Sequence, residues 1–192
     1  SNAIFDGADA VMLSGETAAG EFPVAACTVM ASIAAEADAE IAAAPLDARW
    51  RQLRTAHHNG GAMPQQSDVR QDTYANAIGQ AVAQMADTLD VCCIACLTST
   101  GYTARAIARY RPAVPVVAMA FCDEIQRRCA LLRGVTAMHL AEVKGMDEMV
   151  ATVKRELVEA GLAQRGETVI LVAGTPLAVG GRTNLLKLHT ID

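Results

Sequence analysis

Residues 97–105 read LTSTGYTAR, and the fold follows from what stands on either side of them. An apolar run, residues 91–97 (VCCIACL), leads in. A helical pattern over 101–110 leads out. Thr98, Ser99, Thr100 and Thr103 surround Gly101. A strand that enters a Gly-containing turn and leaves as a helix exposes unpaired backbone N–H groups at the positive end of the helix dipole, which favours an anion. Hydroxyls add donors that rotate to meet phosphate oxygens. One N-cap needs one hydroxyl. Four within six positions exceed that need, so the stretch reads as a phosphate cradle, with a plain capped helix start as the other reading.

Downstream the same alternation repeats. A helix is predicted over 73–89, with Ile78, Ala81, Val82, Met85 and Leu89 on one stripe, before the strand at 91–97. After the helix at 101–110, which ends before Pro112, come a strand at 114–120, a helix at 123–132 and a strand at 135–140. The helix at 145–160 turns Met146, Met149, Val150, Val153 and Leu157 inward and stops at Gly161. A strand at 168–173 then enters a Gly-rich loop, GTPLAVGGRTN (174–184), and a last strand covers 185–191. This order predicts an α/β three-layer sandwich: a mostly parallel sheet of about five strands, helices on both faces, and one antiparallel edge strand where no helix intervenes. Ligands of such sheets bind beyond the carboxyl ends of the strands. The loops at 98–103 and 174–184 both follow strands, so they are expected to meet at one edge. Gly181 and Arg182 then join the site, Arg182 facing a second anionic group; the plainer reading of Arg182 is an exposed surface cation.

Upstream, residues 4–13 read as a turn followed by a buried strand at 10–13. A polar turn, SGETAAGEFP (14–23), and a long Ala-rich helix over 24–44 follow, with Val29, Met30, Ile33, Ala37 and Ile41 near one face. Residues 45–72 have no sustained period and read as a linker, with a short helix through 47–54. They hold Trp50 and the pair His57-His58, which reads as solvated rather than as a metal site. Ser1-Asn2-Ala3 looks like a tag remnant.

Composition narrows the class. The core must come from aliphatic residues, since 52% of the 192 residues are hydrophobic and only 4% aromatic. A net charge of −5 argues against a nucleic-acid or membrane-surface role. No apolar run nears the roughly 20 residues that span a bilayer, and no signal peptide is visible. Six cysteines are Cys27, Cys92, Cys93, Cys96, Cys122 and Cys129. Cys93 and Cys96 form a single CxxC inside a strand, which sends their side chains to opposite faces, so they read as buried structural thiols of a reducing cytoplasm.

Several stretches resemble the carboxyl-terminal part of pyruvate kinase. DGADAVMLSGETAAGEFPVAA (6–26) is similar to the family's last barrel strand, loop and helix; TSTGYTAR resembles its T-x-S-G-x-T-A turn, with Thr100 in place of Ser. RYRPAVPVVAM (109–119), RRCALLRGV (127–135) and GTPLAVGGRTNLLKLHTI (174–191) match in the same order, with Ala178 where Gly is common. The resemblance implies three parts: 1–44, tag remnant plus terminal strand–loop–helix of the catalytic barrel; 45–72, linker; 73–192, the carboxyl-terminal domain. It implies a parent enzyme of glycolysis that transfers phosphoryl from phosphoenolpyruvate to ADP with Mg²⁺ and K⁺, and a regulatory, oligomerising domain. The cradle residues Thr98, Ser99, Thr100, Gly101 and Thr103, with Gly181 and Arg182, would hold the phosphate of an allosteric effector such as fructose 1,6-bisphosphate, a sugar monophosphate or AMP. Ser14, Gly15, Glu16 and Thr17 would lie at the barrel rim. No catalytic or metal-binding residue is assigned, and the chain alone is expected to be inactive. Its expected partners are the missing catalytic barrel, the effector and further copies of itself. The alternative is a freestanding phosphorylated-metabolite module, and the strand–loop–helix before the linker argues against it.

Overall fold

In the computed structural model the described residues are 1–44, 69–141, 143, 145–175 and 183–192. The chain divides into two units, Ser1–Met63 and Pro64–Asp192. The expected short helix at 47–54, Trp50 and His57-His58 lie outside the described residues.

The first unit contains α1 (Asn2–Phe5), α2 (Gly15–Ala18) and α3 (Pro23–Ala43). Pro23 opens α3, where its missing N–H costs no hydrogen bond. The strand expected at 10–13 does not form. Those residues are irregular, and Met12 is 85% exposed. A strand needs neighbours for its backbone donors and acceptors, and the sheet recruits only residues of the second unit. Apolar content alone could not supply that partner. On α3, Ala37 is buried, while Val29 and Ile33 stay exposed. Val29 and Ile33, with Ile4, Val11, Leu13, Phe22 and Met30, line an apolar groove of about 590 Å³.

The second unit carries α4 (Val69–Thr88), β1 (Cys93–Thr98), α5 (Tyr102–Ala108), β2 (Val116–Ala120), α6 (Asp123–Cys129), β3 (Val135–His139), α7 (Met146–Glu159), β4 (Thr168–Ala173) and β5 (Leu185–Thr190). The strands form one sheet in the order β3-β2-β1-β4-β5. All pairs are parallel except β4 with β5, which is antiparallel. This is the expected architecture, edge strand included.

Period-two alternation fills both faces. Cys93, Ala95 and Leu97 on β1, with Val117, Met119, Val169 and Leu171, pack against Met149, Val153 and Leu157 of α7. Those three lie at i, i+4 and i+8, one stripe of a helix. Ile94 and Cys96, with Val116, Ala118, Ile170 and Val172, face α4, α5 and α6 through Val82, Ala86, Ala104, Ile107, Ile125 and Cys129. Each fully buried aliphatic side chain contributes about 1.5–3 kcal/mol. One glycine is set by packing: a Cβ on Gly79 in α4 would stand 2.5 Å from the carbonyl oxygen of Ala106. Only a bare Cα lets α4 approach α5 so closely.

Candidate functional site

The strand order fixes where a ligand crevice opens. From β1 the chain steps outward to β2 and β3, then returns to place β4 on the other side of β1. The carboxyl ends of β1 and β4 therefore flank a topological switch point, the usual ligand position in open α/β sheets. The loops that follow these strands are the two that the sequence singles out.

Thr98 ends β1 and is 3% exposed. Its Oγ1 accepts the Gly101 N–H at 2.8 Å, which folds the turn back on the strand end. Gly101 has φ +81°, a conformation that costs an L side chain about 1–2 kcal/mol. A Cβ there would also touch Cys129 Sγ at 3.4 Å, so α6 supports the turn from below. Ser99 and Thr100 are exposed. Thr100 Oγ1 accepts the Tyr102 N–H at 3.4 Å, and the Arg105 N–H reaches the Gly101 carbonyl at 3.1 Å.

Thr103 points inward. Its hydroxyl lies 2.8 Å from that of Thr183, 80 residues away in sequence, and both side chains are buried. This bond ties the turn after β1 to the end of the Gly-rich loop. The base of that loop is pinned by Asn184. Its Oδ1 accepts the Thr175 N–H at 2.7 Å and the Thr175 hydroxyl at 3.0 Å, while its Nδ2 donates to the Thr175 carbonyl at 2.9 Å. The Asn184 N–H donates to Ala173. Gly181 and Arg182 lie outside the described residues. The structure thus brings Thr98, Thr103 and the ends of both loops to one edge, and leaves Ser99 and Thr100 on its exposed side.

The sequence reading does not single out Thr183 or Asn184. The available signal was a hydroxyl and an amide directly before the last apolar run, the position of a loop about to rejoin a sheet.

Ser14, Gly15, Glu16 and Thr17 cap and open the single turn of α2, held by local hydrogen bonds. Glu16 Oε2 accepts the Ser14 N–H at 3.1 Å, and Thr17 Oγ1 donates to the Ser14 carbonyl at 3.2 Å. The backbone amides of Glu16 and Ser14 hold the Glu16 carboxyl below its ordinary range.

Cys93, Cys96 and Cys129 are core residues, whereas Cys27 and Cys122 are exposed. Cys93 and Cys96 are buried on opposite faces of β1. Burial pushes the Cys93 thiol up to about 12 and raises Cys96 further. Cys92 is part-exposed, and its thiol is also raised by burial. Among the described residues no group of three or more His, Cys, Asp or Glu is placed to hold a metal ion. No helix among them is long and apolar enough to cross a membrane.

Comparison with known proteins gives one answer along the chain. The family model described as "Pyruvate kinase, alpha/beta domain" matches residues 76–189, and "Pyruvate kinase, barrel domain" matches residues 1–27. The pyruvate kinase of Geobacillus stearothermophilus is 39% identical over 100% of this chain and 30% of its own length. That of Clostridium acetobutylicum is 36% identical over 100% of this chain and 37% of its own. A crystal structure of a pyruvate kinase from Cryptosporidium parvum superposes with a TM-score of 0.75 at 28% identity, covering 100% of this chain and 34% of that one. The chain spans about a third of the length of these relatives and belongs to the pyruvate kinase family, with residues 76–189 forming its alpha/beta domain.

Proposed function

We propose that the second unit is the regulatory, effector-binding domain of a pyruvate kinase, and that the edge formed by β1 and β4 holds one phosphate of a phosphorylated small molecule. The observation that carries this reading is a surplus of donors at the switch point. Thr98 Oγ1 accepts from Gly101, so its own proton is uncommitted there. In the Thr103–Thr183 pair one hydroxyl donates and the other accepts, so one further proton is left. Among the described residues the Thr103 and Ala104 amides, in the first turn of α5, have no acceptor. A buried donor without a partner costs about 1–3 kcal/mol. An anion, which only accepts, relieves several such costs together.

Family membership supports the wider setting. The whole protein would transfer phosphoryl from phosphoenolpyruvate to ADP with Mg²⁺ and K⁺. Phosphoryl transfer depends on positioning and on charge stabilisation by metal and cationic groups. The described residues gather no such ligand set, and no catalytic step is assigned to them. Their role is regulation and assembly: effector binding at 98–103 and 174–184, contact with the rest of the barrel through the first unit, and self-association. Arg182 would meet the second phosphate of a bisphosphate.

A thermal-shift screen against phosphorylated metabolites tests the reading, since a ligand of the folded state raises Tm by mass action. Fructose 1,6-bisphosphate, a sugar monophosphate and AMP are the first arms. A rise in Tm with at least one, saturating with concentration, is the expected result. No rise with any of them at millimolar concentration counts against the reading.

A further inference from the structure

A second concave surface lies toward the amino end of β4, away from the phosphate edge. α7 packs Met149, Val153 and Leu157 on the sheet face that carries Val169 and Leu171 of β4. In the antiparallel register His189 and Lys187 of β5 stand beside those two residues. Side chains paired across neighbouring strands share a face, so both project on the side of α7. β5 is the edge of the sheet. The next stripe of α7, Val150, Lys154 and Val158 at steps of four, borders β5 across a groove of about 650 Å³.

Val150, Ala151, Val158 and Ile191 give this groove apolar walls. Around them stand four fixed cations, Lys154, Arg155, Arg165 and Lys187, and three carboxylates, Asp147, Glu159 and Asp192. On a chain of net charge −5 that is a local excess of one positive charge. Lys154 is committed to Asp192, whose carboxyl its hydrogen bond holds below the ordinary range. Arg155 is committed to Glu156 at 3.0 Å. Among the described residues Arg165 and Lys187 have no carboxylate partner. His189 Nε2, on the same wall, is buried without a hydrogen-bond partner. The groove therefore keeps charge and polar capacity that the protein does not use, beside apolar surface.

We propose that this groove is a binding site, separate from the phosphate edge, for a small amphipathic acid: its apolar body lies against Val150, Ala151, Val158 and Ile191, and its single carboxylate meets Arg165 and Lys187. Small-molecule sites have volumes of roughly 300–1,000 Å³, with mostly apolar walls and a few polar groups that fix orientation. The balance of groups sets the ligand's charge. A neutral molecule leaves both free cations unmet, and a polyanion meets Asp147 and Glu159 as like charges. One negative charge matches the excess of one positive. The apolar body is needed as well, because ion pairs open to solvent contribute little by themselves.

The test is a ¹H–¹⁵N NMR titration of this 192-residue chain, following the amides of Ala151, Val158 and Lys187, with octanoate, 1-octanol and acetate as probes. Octanol keeps the chain and lacks the charge; acetate keeps the charge and lacks the chain. The expected result is saturable shifts with octanoate, with 1-octanol about fivefold weaker or more and acetate without effect. The variant Arg165→Gln/Lys187→Gln changes two exposed side chains. It should bind octanoate no better than octanol, and its unchanged octanol affinity should show that the groove is intact. Octanoate and octanol of equal affinity in the wild type overturn the proposal, because the cations then select nothing. A variant that keeps the full octanoate affinity overturns it too, and so does acetate that binds as tightly as octanoate. Octanoate shifts confined to residues 22–33 also overturn it, since the ligand then sits only in the apolar groove of the first unit.

Discussion

The hydroxyl bond between Thr103 and Thr183 makes the site one object rather than two loops, and a double-mutant cycle measures it. Thr103→Val removes one hydroxyl while keeping the shape of the side chain. It leaves the Thr183 hydroxyl buried without its partner, and Thr183→Val does the converse. Leaving a buried donor or acceptor unmet costs about 1–3 kcal/mol, whereas replacing both partners with apolar groups of the same shape is close to neutral. Each single variant should therefore lose about 1–3 kcal/mol, and the double variant should lose less than the sum. The interaction energy should fall within the range of about 0.5–3 kcal/mol found for residues in contact. The assay is urea unfolding of the four proteins, followed by circular dichroism and compared at a shared m-value. Additive losses within about 0.3 kcal/mol, the behaviour of independent sites, would refute the pairing and with it the claim that the two loops are tied.

Three further outcomes follow from the same geometry. Gly101→Ala should destabilise the chain by about 1–2 kcal/mol in urea unfolding, because φ +81° is unfavourable for any residue with a Cβ; an unchanged midpoint would show that the turn is not left-handed. Cys93 and Cys96 should resist a thiol reagent in the native state, and stability should fall as pH rises above 9, since the unfolded thiols ionise there while the buried Cys93 thiol holds its proton until about 12. Rapid native-state labelling of Cys93 or Cys96 at pH 8, or stability flat between pH 9 and 11, would contradict this. By itself the 192-residue chain should not convert phosphoenolpyruvate and ADP; turnover above background would overturn the assignment of its described residues to regulation.

Most of the second unit was legible because its signals are local. Alternation along β1 and β4 and the i, i+4 stripe of Met149, Val153 and Leu157 mark which faces are buried. The absence of a helical pattern between β4 and β5 marks the antiparallel edge. What escaped the reading depends on partners far away in sequence. The start of α4 at Val69, four residues ahead of the expected helix at 73–89, is the exception: its first turn, 69–72, carries no sustained apolar period to read. Residues 10–13 look like a strand by composition, but strand formation is settled by a neighbour, and none pairs with them among the described residues. The turn at 98–103 announces its hydroxyls without announcing their directions. Ser99 and Thr100 face solvent while Thr103 turns inward, and only the contact with Thr183 separates them.

Phosphate binding after β1 is tested most directly by a calorimetric titration of fructose 1,6-bisphosphate into the wild-type chain and into the Thr98→Ala/Ser99→Ala variant. A hydrogen bond to a charged group contributes about 1.5–3 kcal/mol, and about 1.4 kcal/mol is one decade in affinity. Measurable binding by the wild type and at least tenfold weaker binding by the variant are expected, with the far-ultraviolet spectrum of the variant unchanged. Equal affinities for the two proteins would contradict phosphate binding there: the hydroxyls after β1 would then cap a helix and do no more.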